Sequence, residues 1–150
     1  MADIKSPEER SRNMAAIRSK DTKPEVYLRK LLFSKGYRYR KNVSYIYGHP
    51  DLWLAKYNTA IFIHGCFWHR HEGCKYAYTP KSREEFWNKK FTGNIQRDKA
   101  VKEELERQNI RQLIIWECTI EQAKRQLERQ TELLKNINTF LLTTDWYLEL

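Results

Sequence analysis

All four histidines of the 150-residue sequence, and two of its three cysteines, fall between His49 and Cys74. Asp51 stands near the head of that window, directly after a proline, and the remaining cysteine, Cys118, closes an apolar run far downstream. Side chains that bind metals and move protons are otherwise sparse, so packing alone does not explain the crowding. The window reads as two sites side by side.

Cys66, His71 and Cys74 are separated by four and two residues, and Cys118 would complete a Cys3His set. Zinc takes four nitrogen or sulfur ligands in a tetrahedron, and closed sites of this kind are structural. The segment Gly65 to Lys75 is short and polar, so core burial could not hold its shape; a metal clip could. Such a clip would also staple the segment to the end of the strand that carries Trp116. The plain alternative is three thiols without metal and a surface histidine. An odd number of cysteines suits metal binding better than a disulfide framework.

The acidic and histidine residues suggest a second chemistry, phosphodiester hydrolysis. Asp51, at the entry of a strand, can hold Mg2+, which neutralises charge developing on a phosphate. A histidine can take a proton from an attacking water or supply one to a leaving oxygen. His64 and His69 are the candidates, because His71 is better used on zinc. Glu25, on a helix, would be a second carboxylate. Asp51 could equally be a turn residue, and Glu25 the fourth position of a capping box.

The elements that must position these residues are legible in outline. Ser6-Pro7-Glu8-Glu9 is a capping box with proline at the first helical position, predicting a helix over about 6–18. Thr22-Lys23-Pro24-Glu25 repeats the signature, with Leu28, Leu31 and Leu32 as the buried stripe and Gly36 as the stop. Tyr37 to Asn42 alternates like a strand. Asp51 to Ala55 and Thr59 to His64 flank Lys56-Tyr57-Asn58 and predict a hairpin. Ser82-Arg83-Glu84-Glu85 opens a helix, and Asn94 to Gln108 forms another, strongly charged one. Arg111 to Glu117 reads as a strand buried on both faces. The last helix is expected over about 121–138. This order predicts an α/β architecture, a mixed β-sheet flanked by helices, within one domain spanning 1–150.

The balance of 28 basic to 19 acidic residues gives a formal charge of +9, accompanied by nine tyrosines and five tryptophans. Charge alone could serve solubility. Charge with aromatics favours a nucleic-acid partner, since aromatic faces stack on or wedge between bases. No apolar run approaches the roughly 20 residues of a membrane helix, and no stretch is amphipathic and apolar enough to lie on lipid. The N-terminal MADIKSPEERSRN lacks an apolar signal-peptide core, so a cytoplasmic protein is expected.

Four blocks carry a family resemblance: Arg10 to Glu25 (RSRNMAAIRSKDTKPE), His64 to Cys74 (HGCFWHRHEGC), Thr79 to Asp98 (TPKSREEFWNKKFTGNIQRD) and Ile115-Trp116-Glu117-Cys118. Together they resemble the very-short-patch repair (Vsr) mismatch endonucleases, of the PD-(D/E)XK nuclease superfamily. The resemblance runs from about Arg10 to Cys118. It implies a restriction-endonuclease-like fold with a structural zinc, and nicking of duplex DNA beside the thymine of a T:G mismatch left by deamination of 5-methylcytosine. On this sequence it implies Asp51 as Mg2+ ligand with the Ile63 backbone carbonyl, His69 as general base, His64 at the phosphate and Glu25 on the metal's hydration shell. Cys66, His71, Cys74 and Cys118 match the zinc set. Phe67, Trp68 and Trp87 match residues that wedge into the base stack from the major groove, with Met14 entering from the minor groove. Asn94 matches a residue near the mismatch. For Trp87, core packing with Phe86 and Phe91 remains the alternative.

Nicking one strand of double-stranded DNA requires only a monomer, though oligomeric state is otherwise open; the expected setting is the nucleoid, with a functional link to a cytosine-5 methyltransferase. One departure stands out: the family has Gly followed by Arg or Lys before Pro-Asp, whereas this chain has Gly48-His49. A neutral imidazole would weaken a phosphate contact there and could change the preferred sequence context. Two other readings fit the same residues: a nicking nuclease of this fold with another target, as in restriction or phage defence, and a zinc-dependent DNA-binding module without catalysis. The module would need none of Asp51, His64 and His69.

Overall fold

Two apolar hexapeptides, β3 (Thr59–His64) and β4 (Arg111–Trp116), form the centre of the molecule. They run parallel, in a register that pairs Thr59 with Arg111 and His64 with Trp116. Successive side chains of a strand point to opposite faces. Accordingly, Ile61, Leu113 and Ile115 enter one core cluster, and Ala60, Phe62, Ile114 and Trp116 enter another. A sheet buried on both faces needs helices on both, and this one has them. The computed structural model describes residues 21–150; the helix expected over about 6–18, with Met14, lies outside them.

The hairpin forms as predicted. β2 (Leu52–Leu54) lies antiparallel to β3, joined by a 3-10 turn (Ala55–Tyr57) and Asn58 in the left-handed region. β1 (Arg40–Lys41) pairs antiparallel with β2; it is shorter than the Tyr37–Asn42 alternation suggests. A fifth strand, β5 (Tyr147–Glu149), pairs parallel with β4 on the far edge, giving the sheet order β1-β2-β3-β4-β5. Nothing so short and isolated stands out in the sequence. The mixed α/β sheet itself is as expected.

Helix α1 (Lys23–Ser34) starts where its capping box places it: the Thr22 hydroxyl accepts from the Glu25 N–H at 3.4 Å. The reciprocal bond reaches one residue further back than a standard box, with the Asp21 N–H donating to Glu25 Oε2 at 2.9 Å. The helix ends in a Schellman arrangement: Tyr37 N–H bonds Leu32 O, Gly36 N–H bonds Phe33 O, and Gly36 takes φ 91°.

Two helix expectations are corrected. The segments opening at Ser82 and at Asn94 are one helix, α2 (Glu84–Arg107), with Arg83 rather than Ser82 at the N-cap position. An interior glycine costs about 1 kcal/mol, which burial of Phe91, Val101 and Leu105 on the sheet outweighs at Gly93. Conversely, the single helix expected over about 121–138 is two, α3 (Glu117–Arg125) and α4 (Leu127–Leu142), broken at an extended Gln126. The break lets Ile120, Ala123, Leu133, Ile137 and Phe140 reach one cluster with Leu28 and Leu32 of α1. So α1, α3 and α4 cover one face and α2 the other, as the crossover between parallel β3 and β4 requires. Among the described residues, no helix is long and apolar enough to cross a membrane.

The loop from Asn42 to Pro50 lies against the α2 side. Gly48 sits at φ 85°, and an added Cβ would come within 2.8 Å of Val101 Cγ1 and 3.2 Å of Phe62 Cζ. Both the left-handed backbone and the missing space call for glycine. Gly48→Ala should therefore destabilise the fold by about 1–3 kcal/mol, seen as a lower midpoint in urea with an unchanged m-value.

Candidate functional site

At the carboxyl end of β3 the sheet opens into a cleft of about 1020 Å3 whose lining includes Glu25, Asp51, Ile63, His64, Trp68, His69 and Asp98. Ligands of open α/β sheets bind at such strand ends. The cleft gathers Asp51, His64, His69, Glu25 and Ile63 from four separate segments of chain.

Asp51 precedes β2, and its Oδ2 accepts the Ile63 N–H across the hairpin at 2.7 Å. The bond aims the carboxylate at the carboxyl end of β3. Glu25, buried on the first turn of α1, lies beside it. Burial, together with the neighbouring Glu25 carboxylate, pushes the Asp51 carboxyl up to about 7, against the Ile63 N–H, which favours the charged form. Two carboxylates sharing a desolvated corner repel one another; a cation between them would remove both penalties. Glu25 thus serves as helix cap and as half of this pair.

The imidazoles of His64 and His69 stack at 3.8 Å, with 7° between their planes. His69 Nδ1 lies 2.7 Å from Asp98 Oδ2. A carboxylate only accepts, so the proton of this bond belongs to Nδ1 and the Nε2 lone pair is left free to take one. Donor atoms of His64, His69 and Asp98 also fall within 4.8 Å of one another. The His69–Asp98 contact is nonetheless at hydrogen-bond length, the arrangement of a base held by its carboxylate. His64 is buried, which lowers its pKa to about 3 with help from the His69 ring. It is therefore neutral near pH 7, suited to donating a hydrogen bond and not to delivering a proton as imidazolium.

The Cys3His set also assembles. Ligand atoms of Cys66, His71, Cys74 and Cys118 all lie within 4.8 Å of one another, and Cys118 Sγ is 3.4 Å from His71 Nδ1. A tetrahedral ion bound at about 2.0–2.3 Å has donor–donor edges of roughly 3.3–3.8 Å. Burial pushes the Cys66 thiol up to about 12 and the Cys118 thiol upward, a cost that binding a cation would reverse. Cys118 sits in the first turn of α3, two residues beyond the end of β4. The His71 ring stacks on Trp116 at 4.1 Å, and the Trp116 Nε1–H donates to Glu149 Oε1 at 3.0 Å. His64 meets the same indole edge-on at 5.2 Å.

Phe67 and Trp68 lie between the two clusters, half-buried, in an aromatic group with Trp87 and Phe91 of α2; the Phe67–Trp87 centroids are 5.5 Å apart. Packing and partial exposure therefore coexist for Trp87. The Arg70 guanidinium lies 3.9 Å over Phe91 and bonds Tyr78 O and Ala77 O, tying the metal segment down. Asn94 donates to the Trp68 carbonyl at 2.9 Å, so its amide positions that segment. His49 is exposed on the cleft wall, in the left-handed region at φ 51°. Asp98 is the site residue that sequence reasoning missed. Its position inside the Thr79–Asp98 block was the available signal, since an aspartate in a charged helix is otherwise unremarked.

Residues 2–75 match the protein family described as DNA mismatch endonuclease Vsr. The chain is similar to the type II nicking enzyme V.NmeAIP of Neisseria meningitidis serogroup A, with 44% identity over 137 residues, 91% of this chain and 97% of that protein. It is similar to the DNA mismatch endonuclease Vsr of Escherichia coli, with 39% identity over 120 residues, 80% of this chain and 76% of that one. The type II nicking enzyme V.XorIIP of Xanthomonas oryzae is likewise 39% identical over 120 residues, 80% of this chain and 88% of its own length.

If the four ligands close on one ion, purified protein should carry about one equivalent of tightly bound metal per chain by elemental analysis. Cys118→Ser should lower that content and the thermal midpoint together. A fully metal-loaded Cys118→Ser protein would remove Cys118 from the set.

Proposed function

The chain belongs to the Vsr family and is a DNA endonuclease, and from that premise we propose that it nicks one strand of duplex DNA beside the thymine of a T:G mismatch in very-short-patch repair. The observation that carries the mechanism is the Asp51–Glu25 carboxylate pair facing the His69–Asp98 dyad within one cleft. Being an endonuclease, the chain is not a DNA-binding module without catalysis.

In this reading Asp51 and the Ile63 carbonyl hold Mg2+, with Glu25 on its hydration shell. The ion, when bound, neutralises charge developing on the phosphate. His69 accepts a proton from the attacking water at Nε2, while Asp98 keeps the ring in the required tautomer. His64, neutral because it is buried, donates a hydrogen bond to the phosphate oxygen. The Cys66, His71, Cys74 and Cys118 set holds structural zinc, the ion whose preference for sulfur and nitrogen fits these ligands. That clip holds Phe67 and Trp68 beside the base.

Phe67, Trp68 and Trp87 enter the base stack, with Met14 from the opposite groove and Asn94 fixing Trp68 near the mismatch. A T:G wobble pair stacks poorly, so opening its step costs less than the few kcal/mol of a matched one. The fold is that of the PD-(D/E)XK nucleases, in a single domain over 1–150. It acts as a monomer, since one nick needs one active site, in the cytoplasm at the nucleoid, with a cytosine-5 methyltransferase as functional partner. The Neisseria relative's name specifies nicking and no mismatch, which supports a second reading: the same chemistry on another DNA target.

End-labelled duplexes carrying T:G or matched pairs, incubated with Mg2+, decide between these readings. Nicking confined to the T:G strand is expected; equal nicking of matched DNA would favour the second reading. Asp51→Ala should reduce nicking to background with metal content and circular dichroism unchanged. Asp98→Asn should lower the rate by about 10²–10⁴-fold, the usual worth of a positioned general base; a wild-type rate would exclude the dyad.

A further inference from the structure

We propose that Tyr45 and Tyr47, on the loop between β1 and β2, form a second DNA-contacting surface that grips nucleotides flanking the nicked phosphate and sets the sequence preference there. This rests on the reading of the cleft as the nuclease site.

The loop is built to present these two rings. Val43 and Ile46 are buried at 6% and 8% exposure, while Tyr45 and Tyr47 stand out at 62% and 47%. Single exposed aromatics are ordinary. Two tyrosines flanking a buried isoleucine on one short loop are a patch, and among the described residues neither ring has an aromatic or hydrogen-bonded partner. The loop is also held firmly. The Asn42 N–H donates to Asp51 O and the His49 N–H to Ile46 O, each at 3.0 Å, and Gly48 is wedged against Val101.

Both tyrosines line the same cleft as Asp51 and His69. Tyr47 precedes Asp51 by four residues, so their Cα atoms lie within about 14 Å of one another. Sharing one cleft with Asp51, the rings are placed to meet nucleotides flanking the phosphate that Asp51 addresses. The occupant is DNA and not an apolar protein face, because the patch is continuous with the nuclease cleft and the chain carries +9. A tyrosine offers a flat face to a base or deoxyribose and a hydroxyl to a phosphate. It has no fork for base edges, so the preference would follow stacking strength and deformability rather than a hydrogen-bond code. Phe67, Trp68 and Trp87 occupy other segments, so the tyrosines add a separate contact.

The test compares wild type with Tyr45→Ala, Tyr47→Ala, the double alanine variant and the double phenylalanine variant. Binding of a fluorescein-labelled T:G duplex is measured with Ca2+ replacing Mg2+, and nicking on T:G duplexes varied in the four flanking pairs. Loss of one stacked ring should weaken binding by roughly tenfold. The double alanine variant should also narrow the spread of nicking rates across flanking sequences, whereas phenylalanine should keep the spread. Unchanged affinity and spread in the alanine variants would overturn the proposal. So would a lower thermal midpoint at unchanged affinity, which would mean that the rings serve packing and not DNA. If wild type nicks no T:G duplex, the proposed function fails; binding to a matched duplex then decides the tyrosines by itself.

Discussion

The parallel pairing of β3 with β4 is the constraint on which both clusters depend. Its register puts His64 opposite Trp116 and Ile63 opposite Ile115. A slip of one residue would turn every side chain to the other face, moving His64 out of the cleft and Trp116 away from His71. With the register as it is, one indole touches the buried histidine edge-on and the metal-cluster histidine face-on. Cys118 then follows at the first turn of α3, where it can close the set begun by Cys66. The two clusters are separate in their ligands and joined through that tryptophan.

The cleft holds charge that the protein itself does not balance. Asp51 and Glu25 share a desolvated corner, where Asp51 accepts from the Ile63 N–H and Glu25 from the Asp21 N–H. Such pairs cost stability unless something neutralises them, so this corner is arranged for a ligand rather than for folding. The histidine side is different. His69 has its carboxylate in Asp98, and His64 is neutral through burial and stacks on it. Among the described residues no ion pair joins the carboxylate half to the histidine half, which leaves room for a phosphate and its nucleophile.

Helix α2 shows why continuity of an element matters. Trp87, Phe91, Asn94 and Asp98 all lie on it, and they touch Phe67, Arg70, Trp68 and His69 respectively. A break near Asn94 would have freed the aromatic end from the Asp98 end. Because the helix runs unbroken through Gly93, the aromatic group around Phe67 and the His69–Asp98 pair are held in one rigid relation.

Much was legible in local pattern. The Thr22 capping box, the hairpin around Asn58, the strand Thr59–His64 and the metal-ligand spacing depend on interactions between near neighbours, which a sequence displays directly. Asp51, His64 and His69 stood out as candidates by residue type and place in the chain, and the family resemblance implied a separate role for each. What escaped was decided at long range. β5 forms because β4 has a free edge and Leu148 and Leu150 have a core to enter. The Gln126 break lets Ile120 and Ala123 of α3 and Leu133, Ile137 and Phe140 of α4 enter one core cluster, a long-range outcome. Asp98 acquires its partner only when α2 crosses the sheet and meets a loop 29 residues earlier in the chain. The sequence by itself determined which residues could do chemistry and which could clip a loop. The tertiary structure alone decided that Glu25 lies against Asp51, that His64 is too buried to take up a second proton, and that Tyr45 and Tyr47 face the cleft, because burial and proximity are properties of the packed chain.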